Sequence, residues 1–268
     1  MKNITLGQYI PLDSFFHRLD PRSKICAMVA MMIAVFIPAG FIGYALIGAI
    51  LIMCVFISRL QVDFIIKAMK PMIFMMIFLF VVNIFVVKSG TLLVSFWIFN
   101  IYSGAIIETL YIVIRLLLMI MITTLLTATT KPMDLTLGLE HLMGPLEKIK
   151  VPTHDIAMMV ALALRFIPTP IEEADRILKA QASRGVDLEN GTLREKINAI
   201  LSLIVPMFVS CFQRADDLAD AMEARGYAVG APRVRYKKLA FTAGDYIVII
   251  GANLVLLAVI AIKIWVIK

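Results

Sequence analysis

The sequence predicts an all-α, polytopic integral membrane protein with about five transmembrane helices and long amphipathic cytosolic coupling helices. Of its 268 residues, 61% are hydrophobic, and the mean hydropathy is +0.91, so the chain carries more apolar surface than a soluble domain can bury. Five apolar runs also recur between polar segments. The net charge of +7 is expected around membrane spans and does not indicate nucleic-acid binding.

Each apolar run is near the length of roughly 20 residues that a helix needs to cross a bilayer, and the first is the shortest. A second run follows the first at once, so the first is not a cleaved signal peptide. Four predicted spans therefore lie within residues 1–130 and one within 241–268. The runs cover approximately residues 25–38, 41–57, 71–87, 103–129 and 246–262.

Basic residues predict the orientation of the spans, because loops rich in Lys and Arg stay in the cytoplasm. The N-terminus is predicted inside and Lys268 outside, with Trp97 in a short outer-face loop beyond Lys88. The cytoplasmic basic residues lie before the first span, between the second and third spans, after the fourth and before the last: Arg18, Arg22, Lys24, Arg59, Lys67, Lys70, Lys131 and the run Arg233–Lys238.

Residues 131–240 differ from the spans because acids and bases are interspersed with apolar blocks, which predicts a cytosolic coupling module. Within it the pattern A-D-x-[IL]-x-x-A-x-x-x-R-G occurs twice, ending at Ser183-Arg184-Gly185 and at Ala224-Arg225-Gly226. The apolar blocks 156–168 and 197–212 are shorter than a span, so we interpret them as helices along the membrane surface or against a partner.

Local sequence predicts a helix before each Arg-Gly ending. Thr169 to Glu172 and Thr192 to Glu195 have the spacing of a capping box. The glycines after Arg184 and Arg225 can take the left-handed conformation that stops a helix, and a cation is favoured at that end. A single Arg-Gly is ordinarily only a helix stop, but its repetition within a longer pattern favours a docking element used twice.

Polar residues within the predicted spans allow two interpretations. Glu108 and Arg115 are seven residues apart, hence on one helix face. They either line a transport route or form a structural pair, with Glu108 at the outer interface as a further possibility. Asn83 is a candidate for an interhelical hydrogen bond.

The sequence has no motif for bound nucleotide, metal or catalysis. It contains no G-x-x-x-x-G-K-[ST], H-E-x-x-H or C-x-x-C, and its three histidines are scattered. The three cysteines lie in apolar surroundings without paired spacing. We therefore expect no catalytic residue, no metal ligand and no cofactor.

Several motifs together resemble the transmembrane T component (EcfT family) of energy-coupling factor (ECF) transporters. The resemblance covers the whole chain in layout and is most specific from Arg165 to Tyr227. It rests on Leu19–Lys24, Arg165–Pro168 leading to Glu172–Asp175, Gln181–Gly185 and Arg214–Tyr227.

The resemblance implies a non-catalytic scaffold in a bacterial cell membrane. Such a subunit links a membrane-embedded, substrate-binding S component to two ABC-type ATPases, which bind the ATP, for uptake of vitamins or other micronutrients. Carried onto this sequence, Ser183-Arg184-Gly185 and Ala224-Arg225-Gly226 dock on the ATPases, and Pro168 and Pro206 are possible helix bends. The residues of these motifs resemble a T component that several S components share more than a T component dedicated to metal-ion uptake.

Two other functions stay open from the sequence. One is a conventional ABC permease or secondary transporter whose own substrate path runs through Glu108 and Arg115. The other is a membrane enzyme, which the lack of a reactive cluster disfavours.

Overall fold

The computed structural model describes residues 9–86, 91–96, 99–185, 192–228 and 239–267. Helices dominate these residues, which confirms the all-α class. The only strands among them form one antiparallel hairpin. The elements are α1 (Phe15–Arg18), α2 (Pro21–Phe36), α3 (Gly40–Ile57), α4 (Val62–Val86), β1 (Leu92–Phe96), β2 (Phe99–Tyr102), α5 (Ser103–Thr129), α6 (Pro132–Met143), a 3-10 helix (Gly144–Ile149), α7 (Thr153–Phe166), α8 (Pro168–Ser183), α9 (Leu193–Ala224) and α10 (Ala243–Ile267).

The chain forms two compact units, which are described separately. One contains the described residues up to 157 together with 239–267, and the other contains those from 158 to 228. The predicted functional division into 1–130, 131–240 and 241–268 stays a prediction, because compactness does not tell what a segment does.

Helices α2, α3, α5 and α10 share the apolar core of the larger unit. Ala34, Val35, Ile47 and Val259 lie at its centre and are all fully buried. The same cluster contains the small residues Ala30, Ala39 and Ala252, which let the helices approach closely, as is typical of helix contacts within membranes.

Contacts between the helices define their relative directions. Helix α3 is parallel to α5, because Phe41 stacks on Tyr111 at 4.3 Å near their beginnings and Val55 shares a cluster with Ala128 near their ends. Helix α4 is antiparallel to α5, since Asn83 near its end reaches the beginning of α5. We call the end of this bundle at which α2, α4 and α10 begin, and α3 and α5 end, the Lys24 end.

Lys24 joins the beginning of α2 to the end of α5. Its Nζ donates to the carbonyl oxygen of Thr129 at 3.0 Å and to Oγ1 of Thr130 at 3.3 Å. A cation is favourable there because carbonyl groups at a helix C-terminus lack partners within the helix. Helix α6 also packs on this end of α2, and Gly138 permits the close approach: a Cβ added there would lie 3.0 Å from that of Pro21.

Asp245 joins the beginning of α10 to the beginning of α2. Its carboxylate is fully buried and accepts from the backbone N of Asp20 at 2.7 Å and from Oγ of Ser23 at 2.6 Å. Its second oxygen accepts from the N and Oγ1 of Thr242. Helices α2 and α10 therefore start at the same end and run in parallel.

Six helical segments among the described residues are long and apolar enough to cross a membrane. Four correspond to the second to fifth predicted spans, and two lie in the predicted coupling module. The first predicted span is the 16-residue α2, which is shorter than these six. The six segments are Gly40–Ile57, Val62–Asn83, Ser103–Thr129, Thr153–Ser183, Arg194–Ala224 and Ala243–Trp265.

The prediction of a basic loop from Arg59 to Lys70 is wrong in part. Helix α4 already begins at Val62 and continues through Pro71, so Lys67 and Lys70 lie within it. Arg59 does lie in the short connection, with a left-handed φ of 54°. Lys88, Trp97, Arg233–Lys238 and Lys268 fall outside the described residues.

Candidate functional site: the ends of the two arms

The first arm is built from α7 and α8. The predicted capping box at Thr169 is wrong, because the helical conformation persists through Ile167, with φ −49° and ψ −43°, and α8 already begins at Pro168. The N of Ile167 still donates to the carbonyl oxygen of Ala163 at 2.9 Å. Thr169 is therefore not an N-cap but the second residue of α8, and Pro168 takes the first position, where proline is favoured.

The second arm is the single helix α9. Its predicted capping box is confirmed: Oγ1 of Thr192 accepts from the N of Glu195, and the Glu195 side chain accepts from the N of Thr192 at 2.8 Å. Pro206 lies inside this helix. That Pro168 and Pro206 act as bends stays a prediction.

Both arms end in the same local structure. Arg184 and Arg225 follow the last residues of α8 and α9 as C-caps, and the next residues, Gly185 and Gly226, have φ of +83° and +77°. A side chain at either glycine would be strained, because only glycine takes this region without cost.

The second ending has both hydrogen bonds that define a Schellman motif. The N of Gly226 donates to the carbonyl oxygen of Glu223 at 2.8 Å, and the N of Tyr227 donates to that of Met222 at 2.9 Å. In the first ending, the N of Gly185 makes the corresponding bond to Ala182 at 3.0 Å. The predicted helix stops are thus confirmed.

We call these two endings the tips. All of their residues are exposed on the chain: Ser183, Arg184, Gly185, Ala224, Arg225 and Gly226. A guanidinium at such a position presents a planar set of donors outward, beside carbonyl groups at the end of a helix. This arrangement suits binding to carboxylate or carbonyl oxygens of another protein.

Helices α8 and α9 are antiparallel. Glu173, in the first half of α8, contacts Arg214 in the second half of α9. Further along α8, Nε2 of Gln181 reaches the carbonyl oxygen of Ser202 at 3.4 Å. With a rise of 1.5 Å per residue, this register separates Arg184 from Arg225 by about 35 Å along the helix axes. The tips therefore lie at opposite ends of the helix pair.

The first half of α9 carries an apolar stripe that is exposed on the chain. Its members recur every three or four residues, the period of one helix face. The stripe consists of Ile197, Leu201, Ile204, Val205, Phe208 and Phe212. Such a surface indicates contact with lipid or with another apolar protein surface.

Arg115 lies against helices α2 and α3. Its Nε and Nη2 donate to the hydroxyl of Tyr44 at 3.1 and 2.9 Å, and its guanidinium carbon lies 6.0 Å from the centre of the Phe36 ring. Glu108 is exposed. Arg115 is thus bound within the helix bundle by α2 and α3, and a role for either residue in transport stays untested.

An apolar cavity of about 400 Å³ lies between α2, α3, α5 and α10. Neither Glu108 nor Arg115 lines it. The expected interhelical bond of Asn83 is confirmed, because its Nδ2 donates to Oγ1 of Thr109 in α5 at 3.1 Å. Asn83 therefore contributes to packing of α4 on α5.

Comparison with known proteins identifies the family. The family model described as CbiQ, cobalt transport protein, matches residues 13–236. The chain is 42% identical over 251 residues to the energy-coupling factor transporter transmembrane protein EcfT of Bacillus subtilis (strain 168), which covers 94% of this chain and 95% of that protein. The chain belongs to the EcfT family.

Other EcfT proteins match to a similar extent. The one from Brevibacillus brevis is 42% identical, with 97% of this chain and 98% of that protein covered. The one from Macrococcus caseolyticus is 44% identical, with 91% and 92% covered. The predicted family is confirmed, and this EcfT family member is a multi-pass membrane component of an ECF transporter.

Two polar contacts of this EcfT family member have no signal in the local sequence. Tyr44 lies in no motif, and Arg214 binds Glu173 of the other arm and not a carboxylate of its own helix. Local pairing is found for Lys179, whose Nζ lies 3.8 Å from Asp175. Glu173 and Arg214 each immediately precede one copy of the repeated pattern, and only this shared position could have suggested a relation between them.

Proposed function

We propose that this chain is the coupling subunit of an ECF-type importer, which transmits ATP-driven movement of two ATPase subunits to a substrate-binding S component. The observation that carries the proposal is the pair of exposed Arg-Gly tips at opposite ends of an antiparallel helix pair. The helical rise places the tips about 35 Å apart along the helix axes. Two tips of the same local structure at this separation suit two similar receptors that lie side by side.

The chemistry of the tips supports docking on a protein. Arg184 and Arg225 each offer a planar fork of donors that matches a carboxylate bidentately. Each is preceded by a small residue, Ser183 or Ala224, which leaves room for a groove to close around the guanidinium. Removing one partner of such a buried charge pair at an interface typically costs about 2–5 kcal/mol.

The path of the chain supports tips on a single side of the membrane. Helix α5 ends beside Thr130 and α10 begins just after Thr242, and both residues lie at the Lys24 end. The intervening segment must therefore cross the membrane an even number of times.

The charges on α8 oppose crossing of the membrane by α8 and α9 as a hairpin. If the apolar stretch of α9 spanned the bilayer, the antiparallel α8 would be placed at the same depth. It carries five ionisable side chains there, and each charge at the bilayer centre costs about 2.5–3.5 kcal/mol. These are Glu172, Glu173, Asp175, Arg176 and Lys179. We therefore propose that α8 and α9 lie along one membrane surface.

The basic residues support a cytoplasmic position for that surface. Arg18, Arg22, Lys24, Arg59 and Lys131 all lie at or beside the Lys24 end, and such residues are enriched in cytoplasmic loops. In this orientation α10 ends outside, and both tips face the compartment that contains ATP.

The proposed subunit is not itself a catalyst. It has no phosphate-binding loop, so ATP would be bound by the ATPase subunits. The exposed stripe of α9 is the surface that we propose to meet the S component or the bilayer interface. Movement of the tips would tilt this stripe and release substrate from the S component, which selects the vitamin or other micronutrient.

Reconstitution of transport tests the proposal. The chain, two ATPases and an S component are placed in liposomes, and ATP-dependent uptake of the S-component substrate is measured. Arg184→Glu combined with Arg225→Glu should reduce uptake to the level without ATP, because charge reversal replaces attraction by repulsion at both receptors. Arg176→Glu, on the exposed surface of α8 away from the tip, is the matched control and should transport normally.

Two results would contradict the proposal. Normal uptake by the double tip variant would exclude docking through Arg184 and Arg225. ATP-driven uptake by the chain and ATPases without any S component would favour a permease with its own substrate path. In that case Glu108→Gln and Arg115→Gln would identify whether the path includes these residues.

A further inference from the structure

A polar cluster joins α8 of the first arm to α9 of the second. The carboxylate of Glu173 in α8 uses both oxygens toward α9: Oε1 accepts from Oγ of Ser210 at 2.5 Å, and Oε2 accepts from Nη2 of Arg214 at 2.6 Å. The Glu173 and Arg214 side chains are 25% and 38% exposed. Since they are partly shielded and joined to a third group, they form a more specific contact than an isolated surface ion pair.

The cluster is equidistant from the two tips. Glu173 precedes Arg184 by eleven residues, and Arg214 precedes Arg225 by eleven residues. Each thus immediately precedes one copy of the repeated pattern, with Glu in the first arm and Arg in the second. Each tip lies about 16 Å along its helix from the cluster, in opposite directions.

Little apolar packing fixes the register of α8 against α9. Among the side chains that the structure describes in these two helices, only that of Ala199 is buried. Many large apolar residues of α9, including Phe208 and Phe212, are exposed, and Leu203, Met207 and Leu218 are only half-buried. A slip by one helical turn would preserve such loose apolar contacts but would separate Glu173 from both of its partners, and it would change the span between the tips by about 5.4 Å.

We infer that Glu173, Ser210 and Arg214 are positioning residues that fix the register of the two arms, and thereby the distance between the tips. The importance of this distance rests on the proposed function, because two receptors are engaged together only when the spacing of the tips matches theirs. A correct spacing makes the second docking event intramolecular and strengthens binding without any new contact.

The test is the distance between spin labels at the tips, measured by pulsed electron resonance. Labels are attached at Ser183→Cys and Ala224→Cys in the full chain, after Cys26, Cys54 and Cys211 have been replaced by alanine. We expect one narrow distance distribution. Reversal of either charge of the cluster, by Glu173→Arg or Arg214→Glu, should broaden it or shift it by about 5 Å, one helical turn.

Two further variants separate register from general damage. The charge exchange Glu173→Arg with Arg214→Glu should restore the narrow distribution, because the ion pair is re-formed with opposite polarity. The neighbouring Glu172 is exposed, so Glu172→Arg is the matched control and should leave the distribution unchanged. An unchanged distance in both single variants would overturn the inference, as would equal broadening by the control.

A binding measurement distinguishes this inference from the proposed function. The dissociation rate of the ATPase pair should rise with Glu173→Arg in the otherwise unaltered chain, but should not rise further when Arg225→Glu has already removed one tip. If Glu173→Arg raises the dissociation rate by the same factor with and without Arg225→Glu, the positioning role is wrong. If Arg184→Glu with Arg225→Glu leaves dissociation unchanged, docking fails as a function, whereas the distances still decide the register.

Discussion

Replacement of Asp245 by alanine tests how the larger unit holds α10 beside α2. The buried carboxylate accepts four hydrogen bonds, from Asp20 N, Ser23 Oγ and the N and Oγ1 of Thr242. This contact also carries the argument that the chain re-enters the bundle at the end from which it left.

The expected loss of stability follows from the donors that Asp245→Ala strands. The hydroxyls can rotate, and Oγ of Ser23 already reaches the carbonyl oxygen of Asp20 at 2.7 Å, but the N–H groups of Asp20 and Thr242 lose their acceptor. At about 1–3 kcal/mol for each stranded donor, the cost is about 2–6 kcal/mol. The cost of Asp245→Asn should lie between zero and the cost of Asp245→Ala. One oxygen remains as an acceptor, whereas the new NH2 group faces two donors.

Thermal unfolding in detergent measures this loss. A cost of that size corresponds to a Tm lower by roughly 5–20 °C. Asp63, an exposed carboxylate in the first turn of α4, supplies the matched control: Asp63→Ala loses only a dipole interaction of about 0.3–1 kcal/mol. Equal Tm values for Asp245→Ala and Asp63→Ala would refute the assignment of Asp245 as the anchor of α10.

Three smaller substitutions test other contacts. Tyr44→Phe should destabilise the bundle by about 1–3 kcal/mol, because the guanidinium of Arg115 in α5 loses its acceptor. The exposed Tyr246→Phe should leave the Tm unchanged, and an equal fall in Tm for both variants would contradict this. Gly138→Ala should lower Tm by overpacking α6 on α2, whereas Gly144→Ala, with nothing within 4 Å of its added Cβ, should not. Gly226→Ala should strain its tip at a cost of about 1–2 kcal/mol and speed ATPase dissociation; unaltered dissociation would count against docking there.

Properties that depend on local sequence could be predicted. The capping box at Thr192 and the stops at Gly185 and Gly226 were predictable, because caps use residues five or fewer positions away. The continuation of helical conformation from α7 through Ile167 into α8 could not be predicted. Two prolines, Pro168 and Pro170, are suited to the first position of α8, and Pro168 occupies it. Two competing starts two residues apart cannot be resolved from propensity alone.

Contacts between distant residues could not be predicted. Periodicity placed Glu108 and Arg115 on one helix face, but the acceptor for Arg115 is Tyr44, 71 residues away. Arg214 likewise binds Glu173, 41 residues away, although acidic neighbours are closer along α9. Pairing within a helix is visible in the sequence, whereas pairing between helices depends on their register, which the repeated pattern suggests only after the antiparallel arrangement is known.

The accessibility of the two tips in oriented membranes tests the central claim most directly. Ser183→Cys and Ala224→Cys, each in a chain with its native cysteines replaced, are exposed to a membrane-impermeant maleimide in intact cells and in inside-out vesicles prepared without the ATPases. We predict labelling of both positions in the vesicles and of neither in intact cells. Labelling of either tip in intact cells would contradict a coupling subunit whose two tips face the ATPases together.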